Sequence, residues 1–345
     1  MTILHIITGL GMGGAERVVL DLSTVYKKEN HTVHVVSLSK SDALKRKFQE
    51  IGVEPIIFDF SKKFLDNVKQ IIQLIKENEI DIVHLHLAHP IILSPFIYCF
   101  TRTKILFTSH SFDIGGRIRE FYTWLLKPFR HSDILFSKTQ YRYFYKSNFS
   151  VIGNGIDIER YNANCQKFDV FTFIAIGRLE RVKNHRVLIG LMHKMIYVHK
   201  KGCQLLIVGD GELRSEIETE IKMADLENKI HLLGIRDDIN ILMAQSHCVL
   251  MPSLWEGLPI VLLEAGASKL PIISTNVGSI PTLLDEENSY SCPLENFEKN
   301  MVFVMNNYKE ACNKAMILYR KIVDHYSLRS IGREHINLYS SLLKS

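Results

Sequence analysis

The chain has 345 residues, enough for two domains of ordinary size. With 46% hydrophobic residues, 23% charged residues and no low-complexity stretch, the composition excludes a disordered or fibrous protein. The net charge of +5 is uneven: residues 1–163 hold 21 Lys+Arg against 16 Asp+Glu and residues 164–345 hold 21 of each, so the N-terminal half favours an anionic neighbour.

Met1 runs straight into "ILHII" with no basic region or cleavage site, which predicts a cytoplasmic protein. The next feature, "HIITGLGMGGAERVV", places Gly9, Gly11 and Gly14 in the G-x-G-x-x-G spacing of a dinucleotide fingerprint. Apolar runs then alternate with helix-length stretches: "ILHIIT", "HTVHVVSLS", "VEPIIFDF", "DIVHLHL", "KILFTSH", "DILFSKT" and "FSVIGNGI". The longest, Pro90 to Phe100, falls short of the roughly 20 residues that span a bilayer and reads as a buried helix. A polar stretch near 160–168 suits a linker, after which "FTFIAIGR", "CQLLIVGDG", "KIHLLGI", "HCVLMPS" and "LPIISTN" repeat the rhythm. Strands alternating with helices mean parallel sheets, so the chain is expected to be α/β. Two doubly wound domains follow, over 1–163 and 168–325, with a helix over 326–345 packing back on the first. Cys99, Cys165, Cys203, Cys248, Cys292 and Cys312 form no C-x-x-C pair and read as buried thiols. No RNA- or DNA-binding motif occurs, and no nucleic-acid partner is expected.

The second half carries the densest chemistry. In "IAIGRLERVKN", Arg178 and Lys183 lie in the loop after a strand. A planar guanidinium and a point ammonium suit a diphosphate, although an isolated pair reads more readily as a solvated basic loop. In "LLIVGDGE", Gly209 and Gly211 permit a tight turn before a helix. In "MPSLWEGLPIVLLEAGASKLP", Glu256 stands at the mouth of a helix starting near Pro259, and Glu264 follows eight residues later. At the helical rise, Glu264 sits roughly 8 Å beyond Pro259, so the two carboxylates can accept hydrogen bonds from hydroxyls on separate parts of one ligand. His84 and His86 share a strand face near His89. With no carboxylate or thiolate beside them, strand-end packing is favoured over a metal site.

These segments resemble the retaining glycosyltransferases of family 4: "GGAERVV", "HLH", "TSHSFD", "NGID", "GRLERVKN", "GDGE", "WEGLPIVLLEA" and "TNVGSIPTLL" occur in that family's order. The resemblance implies the GT-B fold, two facing Rossmann-like domains with a cleft between them. It implies that Arg178 and Lys183 bind the donor diphosphate, Glu264 the nucleotide ribose and Glu256 the transferred sugar, with backbone groups of Gly257, Leu258 and Pro259 nearby. Gly209 joins the donor-binding set, and His110 faces the sugar. Gly13 and Gly14 form a loop against diphosphate and acceptor, and Asn154 has a structural role first. The expected substrate is a nucleotide sugar, UDP-linked by family prior, with no separate cofactor.

The dinucleotide reading then weakens, because the second strand ends "VVSLSKSD" without the acidic residue a ribose would need. An NAD-dependent oxidoreductase thus becomes a minor alternative, behind a nucleotide-sugar epimerase of the same fold. The matched positions offer no carboxylate nucleophile, which favours front-face substitution with the leaving diphosphate as base. No D-x-D triplet occurs, so a bound metal is not required. Finally, "GGRIREFYTWLLKPFRH" interleaves Arg117, Arg119, Lys127 and Arg130 with aromatic and apolar residues. This stripe suits an anionic membrane surface as well as it suits a buried helix. With the family's role in surface polysaccharide, the expectation is a peripheral protein of the inner membrane's cytoplasmic face that extends a polyprenyl-diphosphate-linked or oligosaccharide acceptor in capsule, lipopolysaccharide or exopolysaccharide synthesis.

Overall fold

The described strands form two sheets, and every pairing within them is parallel. A computed structural model describes residues 1–60, 62–110, 114–163, 165–256 and 259–344. The chain divides into unit 1, Met1–Gly155 with Leu328–Ser345, and unit 2, Ile156–Ser327. The division thus falls after Gly155 and again after Ser327, not at the 163/168 and 325/326 boundaries that the polar stretch and the tail suggest. The reason is visible in Ile156 and Tyr161, which are buried in the core of unit 2 although they lie before the polar residues.

Unit 1 runs β1 (Thr2–Ile7), α1 (Gly14–Lys28), β2 (Thr32–Ser37), α2 (Lys45–Glu50), β3 (Ile56–Ile57), α3 (Phe64–Glu77), β4 (Ile82–His86), α4 (Ser94–Phe100), β5 (Lys104–Thr108), α5 (Arg117–Leu125), β6 (Ser132–Leu135) and β7 (Ser150–Val151). Its sheet order is β3-β2-β1-β4-β5-β6-β7. Strands covered on both faces read as continuous apolar runs. Alternation along β1 sends Leu4 and Ile6 to a core shared with Val68 and Ile71 of α3 and Ile97 of α4. The other face sends Ile3 and Ile7 to a core shared with Val19 and Tyr26 of α1. His5 stands between Ile3 and Ile7 on that second face, a buried polar residue in an apolar strand.

Unit 2 runs β8 (Phe171–Ile176), α6 (Val187–His193), β9 (Cys203–Val208), α7 (Arg214–Met223), β10 (Ile230–Gly234), α8 (Ile239–Gln245), β11 (Cys248–Met251), α9 (Ile260–Ala267), β12 (Ile272–Ser274), β13 (Tyr290–Ser291), α10 (Phe297–Asn306) and α11 (Tyr308–His325), with sheet order β10-β9-β8-β11-β12-β13. β13 is too short to show as an apolar run. The last helix, α12 (Leu328–Lys344), belongs to unit 1 and packs on α1. The two approach closely at Gly332, where a Cβ would lie 2.4 Å from Cγ1 of Val25.

Two sequence expectations need correction. The Pro90–Phe100 run is not wholly buried, since Ile92, Tyr98 and Phe100 are exposed. Cys99 is exposed and Cys165 and Cys312 are partly so, leaving only Cys203, Cys248 and Cys292 as buried thiols.

Candidate active site

In a parallel sheet, ligands sit beyond the carboxyl ends of the strands where the order reverses. In unit 2 the adjacent strands β8 and β11 flank that reversal, and the loops that follow them carry the predicted residues. Two hydrogen bonds tie these loops together. The Leu254 N–H donates to the Val182 carbonyl at 2.8 Å, and Asn184 Nδ2 donates to the Pro252 carbonyl at 3.1 Å. Lys183 is thereby brought to Glu256, with Nζ 2.6 Å from Oε1. Ser253 Oγ donates to the same oxygen at 2.7 Å, so the mostly buried carboxylate has two partners. Its backbone is held from the other side by Gly278, at φ +58°, where a Cβ would lie 1.8 Å from the Glu256 carbonyl oxygen. Neither Ser253 nor Gly278 stood out in the sequence, although Gly278 lies inside "TNVGSIPTLL".

Arg178 is largely exposed and pairs with Glu180 at 2.6 Å. Pro259 caps α9 from outside its first turn, and Glu264 lies within that helix. Burial pushes the Glu264 carboxyl above its ordinary value, opposed by a hydrogen bond from the Tyr161 hydroxyl and by the charge of Arg160. Tyr161 escaped the sequence reading because it precedes Glu264 by more than 100 residues. Gly209, at φ +133°, would place a Cβ 2.0 Å from the Gly177 carbonyl oxygen, so this position demands glycine for the close approach of two loops. Gly257 and Leu258 lie outside the described residues. His185 is an addition: it is buried, its Nδ1 has no partner among the described residues, and burial followed by the charge of Lys183 holds its pKa down to about 4.

In unit 1, Gly13 caps α1 and Gly14 opens it, both exposed, and a Cβ at Gly14 would meet no atom within 4 Å. His110 follows β5 with φ +64°, a left-handed conformation costly for a residue with a Cβ. Its Nε2 lies 2.8 Å from His86 Nδ1 on β4, and His86 Nε2 lies 2.8 Å from His5 Nδ1 on β1. His84 contacts the Tyr339 hydroxyl through Nδ1 at 2.7 Å and Thr108 Oγ1 through Nε2 at 2.8 Å. Burial lowers the pKa of every ring in this cluster, to about 3 for His5 and His110 and about 4 for His335. His5, His84 and His86 bring one nitrogen each within 4.8 Å of one another, while His89 is exposed and outside the group. Two of those rings face each other at hydrogen-bond distance, the arrangement of packed, paired imidazoles. Asn154 is buried, its Oδ1 without a partner among the described residues, beside a narrow pocket lined by His86, His110 and His335.

The stripe on α5 separates into two parts. Ile118, Phe121, Trp124 and Leu125 are exposed, as is Arg117. Arg130 is a correction: its guanidinium is fully buried, in a bidentate pair with Asp133 at 2.8 Å, and it belongs to the core.

Two sequence-family models match the chain: "Glycosyltransferase Family 4" over residues 12–160 and "Glycosyl transferases group 1" over residues 170–307. The chain belongs to the family 4 glycosyltransferases. An uncharacterized glycosyltransferase of Methanocaldococcus jannaschii is 28% identical over 68% of this chain and 64% of its own length. A UDP-Gal:α-D-GlcNAc-diphosphoundecaprenol α-1,3-galactosyltransferase of Escherichia coli is 32% identical over 40% of the chain and 39% of its own length. The alignments therefore span less than two thirds of either relative. Among solved structures, the Anabaena protein HepE in complex with UDP superposes with a TM-score of 0.83 at 19% identity, covering 99% of this chain and 100% of that one. The two parallel Rossmann-like sheets of this chain give it the GT-B fold of these structures.

Proposed function

We propose that the protein moves a hexosyl group, with retention at the anomeric carbon, from a UDP-sugar to a glycan carried on a polyprenyl diphosphate in surface-polysaccharide synthesis. One observation carries this reading: Arg178, Lys183, Glu256 and Glu264 all stand on two loops and one helix of unit 2, beyond the ends of β8 and β11. The UDP complex of HepE and the diphosphoundecaprenol acceptor named for the E. coli relative support the choice of donor and acceptor class.

In the proposed reaction the anomeric carbon–oxygen bond to the diphosphate breaks while the acceptor oxygen bonds to the same face. The acceptor's hydroxyl proton passes to the departing phosphate oxygen. Arg178 and Lys183 stabilise the charge that grows there, in place of a metal ion. Lys183 reaches the phosphate by leaving Glu256, whose carboxylate then accepts from a sugar hydroxyl. Glu264 accepts from the ribose, replacing its bond from Tyr161. Gly13 and Gly14 offer backbone to the acceptor, and His110 offers a hydrogen bond to a substrate oxygen. Isothermal calorimetry tests the donor assignment. UDP should bind with a dissociation constant below about 1 mM, and the absence of UDP or GDP binding in that range overturns the reading. A nucleotide-sugar screen followed by product analysis then identifies the sugar and its linkage.

The membrane location is part of the same proposal. The exposed apolar residues Ile118, Phe121, Trp124 and Leu125 on α5, with Arg117 beside them, suit the interface of an anionic bilayer. No described helix is long and apolar enough to cross a membrane.

A further inference from the structure

Three imidazoles from three segments of unit 1 form one line of hydrogen bonds: His5 Nδ1 to His86 Nε2 at 2.8 Å, and His86 Nδ1 to His110 Nε2 at 2.8 Å. The register of the sheet builds it. Parallel pairing sets His5 opposite His84 and Ile7 opposite His86, and β4 in turn sets His86 opposite Thr108, two residues before His110. A neutral imidazole has one N–H and one bare nitrogen, so in such a line every ring must donate in the same direction.

The two ends differ. His5 Nε2 is buried with no hydrogen-bond partner among the described residues, whereas His110 reaches the surface in part. If the line ran from His110 toward His5, it would end in a buried N–H with no acceptor, the rarer kind of orphan. Run from His5 toward His110, it ends in a bare lone pair inside and an N–H at His110 Nδ1 outside. The other groups packed around the line do not supply a charge that would reverse it. His84 is engaged by Tyr339 and Thr108, His335 donates through Nδ1 to the Ile331 carbonyl, Tyr26 meets Tyr339, and Asp21 of α1 is paired with Arg17.

We infer that His86 is a positioning residue: backed by His5, it donates to His110 Nε2 and fixes His110 as the Nδ1–H tautomer, a neutral donor toward substrate and not a general base. This rests on the proposed role of His110 for its catalytic meaning, but the tautomer itself does not depend on it. Burial supports the neutral state of all three rings, lowering the pKa of His5 and His110 to about 3. The left-handed backbone at His110 fits the same purpose, since a strained conformation persists where surrounding contacts over-determine it.

The test is long-range nitrogen–proton NMR on full-length protein labelled with 15N-histidine, between pH 5.5 and 8. The His110 pattern is assigned by its loss in His110→Asn. It should show a protonated Nδ1 and a bare Nε2 throughout, without titrating. His86→Asn keeps an amide N–H near the position of Nδ1 and should retain that pattern. His86→Leu removes the donor and should move His110 toward the Nε2–H form that free imidazole side chains prefer, with kcat/KM falling by about tenfold or more. An Nε2–H pattern in the unaltered protein, a titration within the range, or an unchanged pattern in His86→Leu overturns the inference. If His86→Leu does not fold, the unaltered protein and His86→Asn decide it. UDP calorimetry on the same samples separates the two proposals: a correct tautomer without nucleotide binding leaves the relay standing and removes the transferase reading.

Discussion

The Lys183 ammonium sits 2.6 Å from the Glu256 carboxylate, so a cation suited to a diphosphate is held by an anion suited to a sugar. In the proposed reaction nucleotide binding exchanges one partner for the other, and this gives the two basic residues different signatures. Arg178→Ala and Lys183→Ala should each lower kcat/KM by about two orders of magnitude or more. Only Lys183→Ala should also cost stability, by about 1–3 kcal/mol, because Glu256 then stays mostly buried without its cation. Arg178 is largely exposed, and its loss should leave the melting temperature nearly unchanged. Steady-state kinetics and thermal unfolding on the same preparations check both; a loss of tenfold or less would reduce the pair to a basic loop.

Glu264 should oppose folding as it ionises. Burial raises its folded-state pKa above the ordinary carboxyl value of 4.5, so the native state holds its proton more tightly than the unfolded chain does. Its contribution is then most favourable below pH 4.5 and is lost as pH rises through the folded value. Glu264→Gln, which can still accept from Tyr161, should therefore gain stability relative to the unaltered protein between pH 5 and 8 while losing UDP affinity. Urea unfolding across that range, paired with calorimetry, would expose an error as a stability difference that stays flat or falls with pH.

The histidine cluster predicts the opposite pH dependence. Burial holds the folded-state pKa values of His5, His84, His86, His110 and His335 below the ordinary imidazole value of 6.5, down to about 3 for His5 and His110. The unfolded chain binds more protons, so stability is present above pH 6.5 and drains away as pH falls toward the folded values. Denaturant midpoints should decline steadily from pH 6.5 to 4.5, and His335→Gln should shallow that decline. Equal slopes in the two proteins would show that the cluster is not its source.

Co-sedimentation with vesicles addresses the membrane surface. Binding should be stronger to anionic than to neutral vesicles and should weaken in high salt. Arg117→Glu with Arg119→Glu should weaken the salt-sensitive part, and Trp124→Ala the remainder. Arg130→Glu is a different experiment, since it breaks a buried pair and should destabilise unit 1 by about 3–5 kcal/mol. If the α5 variants sediment and act on lipid-linked acceptor as before, α5 is not the docking face.

Much of the architecture could be read from the sequence because parallel strands are apolar on both faces and stand out as runs. The grouping of Glu256 and Glu264 could be read because they sit on one loop and the helix that follows it, where spacing along the chain is spacing in space. Tyr161 and Gly278 were not legible, since each meets its glutamate through the tertiary fold, whereas Ser253 lies three residues before Glu256 on the same loop and only the loop's conformation turns its hydroxyl onto the carboxylate. The histidine line was half visible: "HLH" places His84 and His86 on one face, but only the order β1-β4-β5 brings His5 and His110 to them. Arg130 was misread because a basic residue beside aromatics looks like a surface stripe; Asp133, three residues on at the start of β6, was the available sign of a buried pair.

The return of α12 to unit 1 also sets an order of events during synthesis. Tyr339 closes over His84 and Gly332 seats against Val25, so the polar lining of β1 and β4 stays uncovered until unit 2 has emerged from the ribosome. The first half of the chain must wait, partly assembled, for its last helix to arrive. A nascent protein stalled before residue 328 would present an open groove to chaperones and proteases, and a tag fused too close to α12 would prolong that vulnerable interval.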